Sequence, residues 1–263
     1  MASNSKRLIG KVSVITASSD GIGFAIAKRF LQEGSKVVIS SRKQQNVDSA
    51  VEKLHQVAEE NQLPASNVMG MVCHVGKQDH RENLIEQTVN KFGGLDILVS
   101  NAAVSPTFGN IFDVDEKAFD KILDTNVQSG FLLCKQAIPH LKKSGNGSIL
   151  FVSSIGAYMP MPGIGAYCVS KTALLGLTKT MAAELAQFNI RVNCLAPGLI
   201  KTKFSDPLLD NSDVRDQYLN VIPMRRVGDP DEMGGPAVFL CSDDASYVTG
   251  ETLVAAGGIN SRL

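Results

Sequence analysis

Val12-Ser-Val-Ile-Thr-Ala-Ser-Ser-Asp-Gly-Ile-Gly23 is the stretch that decides the fold. A short β-rich apolar run, Val12 to Thr16, empties into a turn of small residues and two glycines. Helical periodicity then runs from Ile22 to Glu33 and stops at Gly34. A strand feeding a tight turn and a helix aims the helix's first N–H groups at the carboxyl end of the strand, an arrangement that holds phosphate groups. The spacing is not the usual G-x-G-x-x-G, and glycine-bearing strand-to-helix turns occur throughout α/β proteins. The rest of the chain has to support the reading.

It does so by alternation. Strand patterns are expected at Lys36 to Ser40, Val68 to Val72, Ile97 to Ser100, Ser148 to Ser153, Arg191 to Ala196 and Thr252 to Ala255. Helical patterns fall between them, at Gln44 to Glu60, Asp79 to Phe92, about Asp115 to His140, Gly165 to Gln187 and Pro230 to Cys241. Short apolar strands separated by helices predict a parallel sheet covered on both faces, and the right-handed crossover rule makes it doubly wound. The expectation is one Rossmann-type α/β domain over residues 1–263 with seven parallel strands. Ligands in such sheets sit at the carboxyl ends of the strands. That points to Ala17–Gly23, Ser41–Arg42, Asn101–Ala103, Ser153–Ser154 and Pro197–Thr202.

Composition narrows the function. The 263 residues are 44% hydrophobic, and 26 basic side chains balance 26 acidic ones. A nucleic-acid partner normally demands a basic excess, so none is expected. No run reaches the length of a membrane span, and the first residues lack the apolar core of a signal peptide. Five cysteines without a Cys-x-x-Cys pair read as buried thiols of a reducing compartment. The four histidines make no metal cluster, and no metal site is expected.

The acid/base candidates are Tyr167 and Lys171, in Tyr-Cys-Val-Ser-Lys on the long Gly165 helix. Residues four apart share a helix face. A free phenol titrates near 10, and a fixed ammonium beside it favours the phenolate. Moving it to about 7 needs roughly 4 kcal/mol of differential stabilisation. A phenol tuned in this way exchanges a proton with an oxygen. Any helix can carry this pair, so its weight comes from what surrounds it.

The chain resembles the short-chain dehydrogenases/reductases. The resemblance rests on Thr16…Gly21-x-Gly23 after the first strand and Ser100-Asn101-Ala102-Ala103 after the fourth. It continues with Asn126 in Asp-Thr-Asn-Val, Ser154 thirteen residues before Tyr167, Lys171, and Pro197-Gly198 followed by Thr202. These elements run in order over nearly the whole chain. The resemblance implies a nicotinamide cofactor held by Thr16, Ser18, Ser19, Gly21, Ile22, Gly23, Ser41, Arg42, Asn101, Ala102, Tyr167, Lys171, Pro197, Gly198, Ile200 and Thr202. It implies that Tyr167 exchanges the proton, that Ser154 steadies the substrate oxygen, and that Lys171 holds the nicotinamide ribose and lowers the Tyr167 pKa. Asn126 is then expected to anchor a water leading from Lys171 to solvent. Three positions depart from the family pattern: Ala17 and Ala103 replace glycines, and His74 replaces an Asp that contacts adenine. Alanine is strained wherever those glycines need positive φ.

An acid after the second strand would bind a ribose 2′-hydroxyl and repel a 2′-phosphate. The chain has Ser40-Ser41-Arg42-Lys43 there. The planar guanidinium of Arg42 suits a phosphate, so NADP(H) is expected over NAD(H). Residues 199–226, within a loop-like region that carries Pro197, Gly198, Pro207, Pro223 and Gly228, read as a loop covering the substrate. Phe108, Met159, Met161 and Met224 are its candidate apolar liners, which favours lipophilic ketones, aldehydes or retinoids over sugars. The family resemblance further implies aromatic ketones and α-dicarbonyls as substrates, and a homotetramer. The end Ser261-Arg262-Leu263 differs by one basic exchange from a peroxisomal address. Two other readings stay open: a 3-oxoacyl-thioester reductase, and a non-catalytic NADP-binding protein.

Overall fold

The computed structural model describes residues 6–210 and 212–261. Seven parallel strands form one sheet: β1 (Val12–Ile15), β2 (Lys36–Ser41), β3 (Val68–Val72), β4 (Ile97–Ser100), β5 (Gly147–Val152), β6 (Ile190–Pro197) and β7 (Thr252–Ala255). Their order is β3-β2-β1-β4-β5-β6-β7. The chain winds outward from β1 in one direction, returns, and winds outward from β4 in the other. β1 and β4 are adjacent, with Val14 opposite Leu98, so the switch point lies between their carboxyl ends.

Successive side chains of a strand point to opposite faces, and both faces here are dry. Ile15, Ile39, Val99, Leu150 and Leu195 meet one helical layer: α1 (Gly21–Gln32), α2 (Gln44–Glu60) and α9 (Gly234–Cys241). Val14, Val38, Leu98, Phe151 and Cys194 meet the other: α3 (Gln78–Phe92), α5 (Ser129–Ser144) and α6 (Gly165–Leu185). Each such buried aliphatic or aromatic side chain contributes about 1.5–3 kcal/mol. Asp96, just before β4, accepts the Val12 N–H at 2.8 Å and ties the amino ends of β1 and β4 together.

Two segments differ from the sequence expectation. The single helix expected from Asp115 is α4 (Glu116–Leu123), then a π turn at Asp124–Gln128, then α5. The region expected as loop holds α7 (Asp206–Leu209) and α8 (Ser212–Val221). Pro197 and Gly198 precede these helices and Pro223 and Gly228 follow them, while Pro207 sits in the first turn of α7, where proline's missing N–H costs nothing. No helix among the described residues is long and apolar enough to cross a membrane.

Candidate active site

The turn after β1 is built for close approach. The Asp20 carboxylate accepts the Gly21 N–H at 2.8 Å and starts α1. Gly21 has φ 58, and Ala17 has φ 49. A Cβ on Gly23 would lie 2.5 Å from Asn101 Nδ2 and 2.8 Å from the Ala17 carbonyl, so no other residue fits there. Asn101 Nδ2 donates to the carbonyls of Thr16 and Ala17 at 3.0 Å each, and Thr16 Oγ1 accepts the N–H groups of Asn101 and Ala102. The turns after β1 and β4 are thus one hydrogen-bonded unit across the switch point.

A cleft runs over this unit. One arm, about 340 Å³, is lined by Gly21, Ile22, Gly23, Asn101, Ser153, Tyr167, Lys171, Thr202 and Phe204 among others. The other, about 190 Å³, is lined by Ser19, Ser41, Arg42, His74, Ala102, Lys121 and neighbours; Ala17, Asp20 and Ala103 belong to both. A separate apolar cavity of about 780 Å³ lies between Phe108–Ile111, Met159–Gly163 and the α8 residues Tyr218 and Val221. Tyr167 lines the cleft and packs in one apolar cluster with Met159, Met161 and Tyr218, which line the cavity.

Tyr167 and Lys171 are both buried on α6, with the Lys171 ammonium 5.5 Å from the centroid of the Tyr167 ring. Lys171 Nζ donates to the Val152 carbonyl at the end of β5 at 2.7 Å. The Ser153 hydroxyl donates to the Lys171 carbonyl at 2.8 Å, which pins the helix to the strand. Ser154 caps the short turn Ile155–Ala157 through the Gly156 N–H and hydrogen-bonds the Tyr167 phenol. Phe204 stands against Tyr167 with ring centroids 5.6 Å apart. Lys203 pairs with Asp20 at 2.6 Å, tying the 199–226 segment to the turn after β1.

The electrostatics correct one expectation. Lys171 does not lower the Tyr167 pKa in this geometry. Burial pushes the phenol above its ordinary value, and the Ser154 hydrogen bond only partly offsets it. Lys171 is itself depressed to about 8 by burial. The Lys171 ammonium bonds the Val152 carbonyl and lies near the ring face, so it gives the phenolate no direct hydrogen bond.

Asn126 lies in the π turn, where the widened helix carries it inward. Its Oδ1 accepts the Val104 N–H at 2.7 Å, and its Nδ2 donates to the Val104 carbonyl at 3.0 Å and to Ser170 Oγ at 2.9 Å. The side chain braces the β4 turn against α6 and makes no direct bond to Lys171.

The expected cofactor residues divide. Ser19, Gly21, Ile22, Gly23, Ser41, Arg42, Asn101, Ala102, Tyr167, Lys171 and Thr202 line the cleft. Thr16 and Ser18 are buried beneath it. Ser18 Oγ donates to the Ile15 carbonyl at 2.7 Å and accepts the Ser40 N–H at 3.0 Å, so its hydroxyl is engaged inside the protein. Gly198 and Ile200 face a different cavity, about 320 Å³, together with Met224. Pro197 ends β6 and lines none of these spaces. Met224 therefore leaves the list of apolar cavity liners, while Phe108, Met159 and Met161 remain. Phe204, Lys121, Tyr218 and Val221 were not anticipated. Tyr218 and Val221, three apart, carried a helical signal that the flanking Pro207 and Pro223 obscured.

The family model described as Enoyl-(Acyl carrier protein) reductase matches residues 16–260. The chain is 55% identical to human dehydrogenase/reductase SDR family member 4, covering 97% of this chain and 90% of that protein. It is 54% identical to the rabbit (Oryctolagus cuniculus) protein of the same name over 97% of this chain and 96% of that one. It belongs to the short-chain dehydrogenase/reductase family. The crystal structure of a short-chain type dehydrogenase/reductase from Mycobacterium marinum superposes with a TM-score of 0.89 at 30% identity, covering 98% of this chain and 99% of that one. As a short-chain dehydrogenase/reductase the protein is an oxidoreductase, and the family works with a nicotinamide cofactor. The cleft fits one: the first turn of α1, Gly21 to Gly23, opens onto it with its backbone N–H groups.

Proposed function

We propose that this protein reduces lipophilic ketones and aldehydes to alcohols with NADPH, Tyr167 donating the proton. One observation carries the reading: a buried Tyr167, bonded to Ser154 and flanked by Lys171, stands where the cleft adjoins the apolar cavity. A bound reduced nicotinamide supplies hydride to the carbonyl carbon. The residues do the rest. Ser154 donates a hydrogen bond to the substrate oxygen as negative charge grows there. The burial-raised phenol of Tyr167 keeps its proton at neutral pH and delivers it to that oxygen. Lys171 orients the nicotinamide ribose through its ammonium. Ser41 and Arg42 hold the 2′-phosphate, and the unit of Thr16, Gly21, Gly23, Asn101 and Ala102 shapes the dinucleotide's bed.

Residues 199–226 act as the cover, held down by the Lys203–Asp20 pair and the Phe204–Tyr167 contact. Phe108, Met159, Met161 and Tyr218 give the cavity an affinity for aromatic ketones, α-dicarbonyls and retinal. The working assembly is a homotetramer. Ser261-Arg262-Leu263 directs it to peroxisomes, although Arg262 and Leu263 lie outside the described residues. The second reading is a 3-oxoacyl-thioester reductase; the family model's description supports the acyl-carrier part of it, though it names an enoyl group and not a β-ketone.

The deciding assay follows NADPH oxidation over a panel of aryl diketones, retinal and acetoacetyl-CoA, with wild type and Tyr167→Phe. The expected result is turnover of the lipophilic carbonyls, lost by about 100-fold or more in Tyr167→Phe, with NADPH affinity unchanged. Turnover of acetoacetyl-CoA alone selects the thioester reading. NADPH binding with no oxidation across the panel makes the protein a binding module.

A further inference from the structure

Phe204 is a large apolar side chain that the fold leaves half uncovered in the cleft. It is 50% exposed, and its ring centroid stands 5.6 Å from that of Tyr167, the two rings tilted by 42°. Both rings line the same arm of the cleft, together with Lys171 and Thr202. Phe204 does not line the larger apolar cavity on the far side of Tyr167 from the cofactor residues. The proton donor therefore has an aromatic neighbour that belongs to the cover and is separate from the cavity.

The backbone on either side of the ring is tied down. Lys203 pairs with Asp20, which lines the same arm, at 2.6 Å. Ser205 is buried; its hydroxyl donates to the Ile200 carbonyl at 2.6 Å and accepts the Thr202 N–H at 3.0 Å. Phe204 is thus a positioned surface, set between two anchored neighbours.

What that surface does rests on the proposed function, in which the reacting carbonyl accepts a hydrogen bond from the Tyr167 phenol. A group carried by the carbonyl carbon then comes up beside the ring packed against Tyr167. Any apolar group there takes part of the exposed Phe204 ring out of water. An aryl group adds the offset or edge-to-face contact of two rings, which an alkyl group of the same size lacks.

We propose that Phe204 is a specificity-determining residue, an aromatic wall on the cover that favours carbonyls bearing an aryl group on the carbonyl carbon over alkyl carbonyls of equal size. Substrate selection then comes from the cover as well as from the cavity.

The test follows NADPH oxidation with phenyl methyl ketone and cyclohexyl methyl ketone, for wild type, Phe204→Leu and Phe204→Tyr. The quantity read is the aryl-to-alkyl ratio of kcat/KM, and comparing it between proteins cancels the two ketones' own reactivities. Phe204→Leu keeps an apolar side chain and loses the ring, so its ratio is expected to fall about 2–10-fold below wild type, the worth of one aromatic pair. Phe204→Tyr keeps the ring and should hold the wild-type ratio within about twofold. A Phe204→Leu ratio equal to wild type overturns the proposal, as does an equal fall in Phe204→Tyr. Phe204→Leu that loses NADPH affinity with the ratio unmoved assigns the ring to the cofactor and overturns it too, as does a wild type that ignores the aryl ketone while reducing other carbonyls. Wild type that reduces no carbonyl at all overturns the proposed function itself, an outcome distinct from the others.

Discussion

The Lys171 ammonium donates to the Val152 carbonyl at 2.7 Å and lies 5.5 Å from the centroid of the Tyr167 ring, one helical turn away. Burial acts on the two groups in opposite directions. It keeps the Tyr167 phenol protonated to high pH and makes Lys171 easier to deprotonate, near 8. In the proposed reduction Lys171 acts as a cation and Tyr167 as an acid, so the lysine is the first of the two to fail as pH rises. We expect kcat/KM for carbonyl reduction to fall as pH passes through about 8. Lys171→Arg should remove that inflection from the accessible range, because a guanidinium stays charged. A profile with the same inflection in both proteins would assign it to another group.

Asn126 predicts a coupled loss. It satisfies both backbone groups of Val104 and donates to Ser170 Oγ, which in turn donates to the Tyr167 carbonyl at 2.6 Å. Asn126→Ala leaves these partly buried groups unpaired, at a cost of about 2–3 kcal/mol. It also loosens the turn of α6 that carries Tyr167. Denaturant unfolding should show the stability loss, and kcat should drop more than NADPH affinity. An unchanged midpoint with full activity would mean water replaces the amide without cost.

The strand–turn–helix alternation was legible because each strand is a short apolar run and each turn carries its own punctuation. Ile97–Ser100 and Gln44–Glu60 stand where the pattern put them. The π turn at Asn126 was not legible, since one added residue in a helix hardly disturbs its apolar period. The α8 helix was hidden by Pro207 and Pro223 on either side of it. Residue types pointed to the candidate site, but not to side-chain direction. Ser18 belongs to the right turn and still directs its hydroxyl inward, and Lys121 reaches the cleft from a helix that no motif marks.

Glu33 sets the acid limit of stability. Burial alone would raise its pKa, but the Arg7 side chain and N–H, with Arg29, override that and pull it to about 2. Arg7 Nη2 is 2.7 Å away and Arg29 Nη2 2.9 Å. Because the folded-state pKa lies below the ordinary 4.5, this contribution is complete above about 4.5 and is lost as pH falls toward 2. After solvent screening it amounts to on the order of 1–2 kcal/mol. Glu33→Gln should therefore lower stability at pH 7 and flatten its decline between pH 4.5 and 2. An equally steep acid decline in the variant would place the responsible carboxylate elsewhere.

Ala17 is the one departure from the family pattern at which the backbone opposes the side chain. Its φ of 49 lies in the left-handed region, which costs a residue with a Cβ about 1–2 kcal/mol. Ala103, the other alanine in place of a glycine, is not among the residues with positive φ. The turn cannot relax the strain, because the Ala17 carbonyl accepts Asn101 Nδ2 and the neighbouring Gly23 leaves no slack. Ala17→Gly removes the steric cost but gives the unfolded chain more freedom, worth about 0.4–1 kcal/mol the other way. The balance favours glycine by roughly 0.5 kcal/mol, which corresponds to about 1–2 °C in Tm for a chain of this size. Ala103→Gly should lower Tm, since it adds the entropic cost without relieving strain. Ala17 also borders both arms of the cleft, so Ala17→Gly should bind NADPH at least as tightly as wild type. If scanning calorimetry shows Ala17→Gly melting lower, the alanine's methyl group is a packing contact whose worth exceeds its strain.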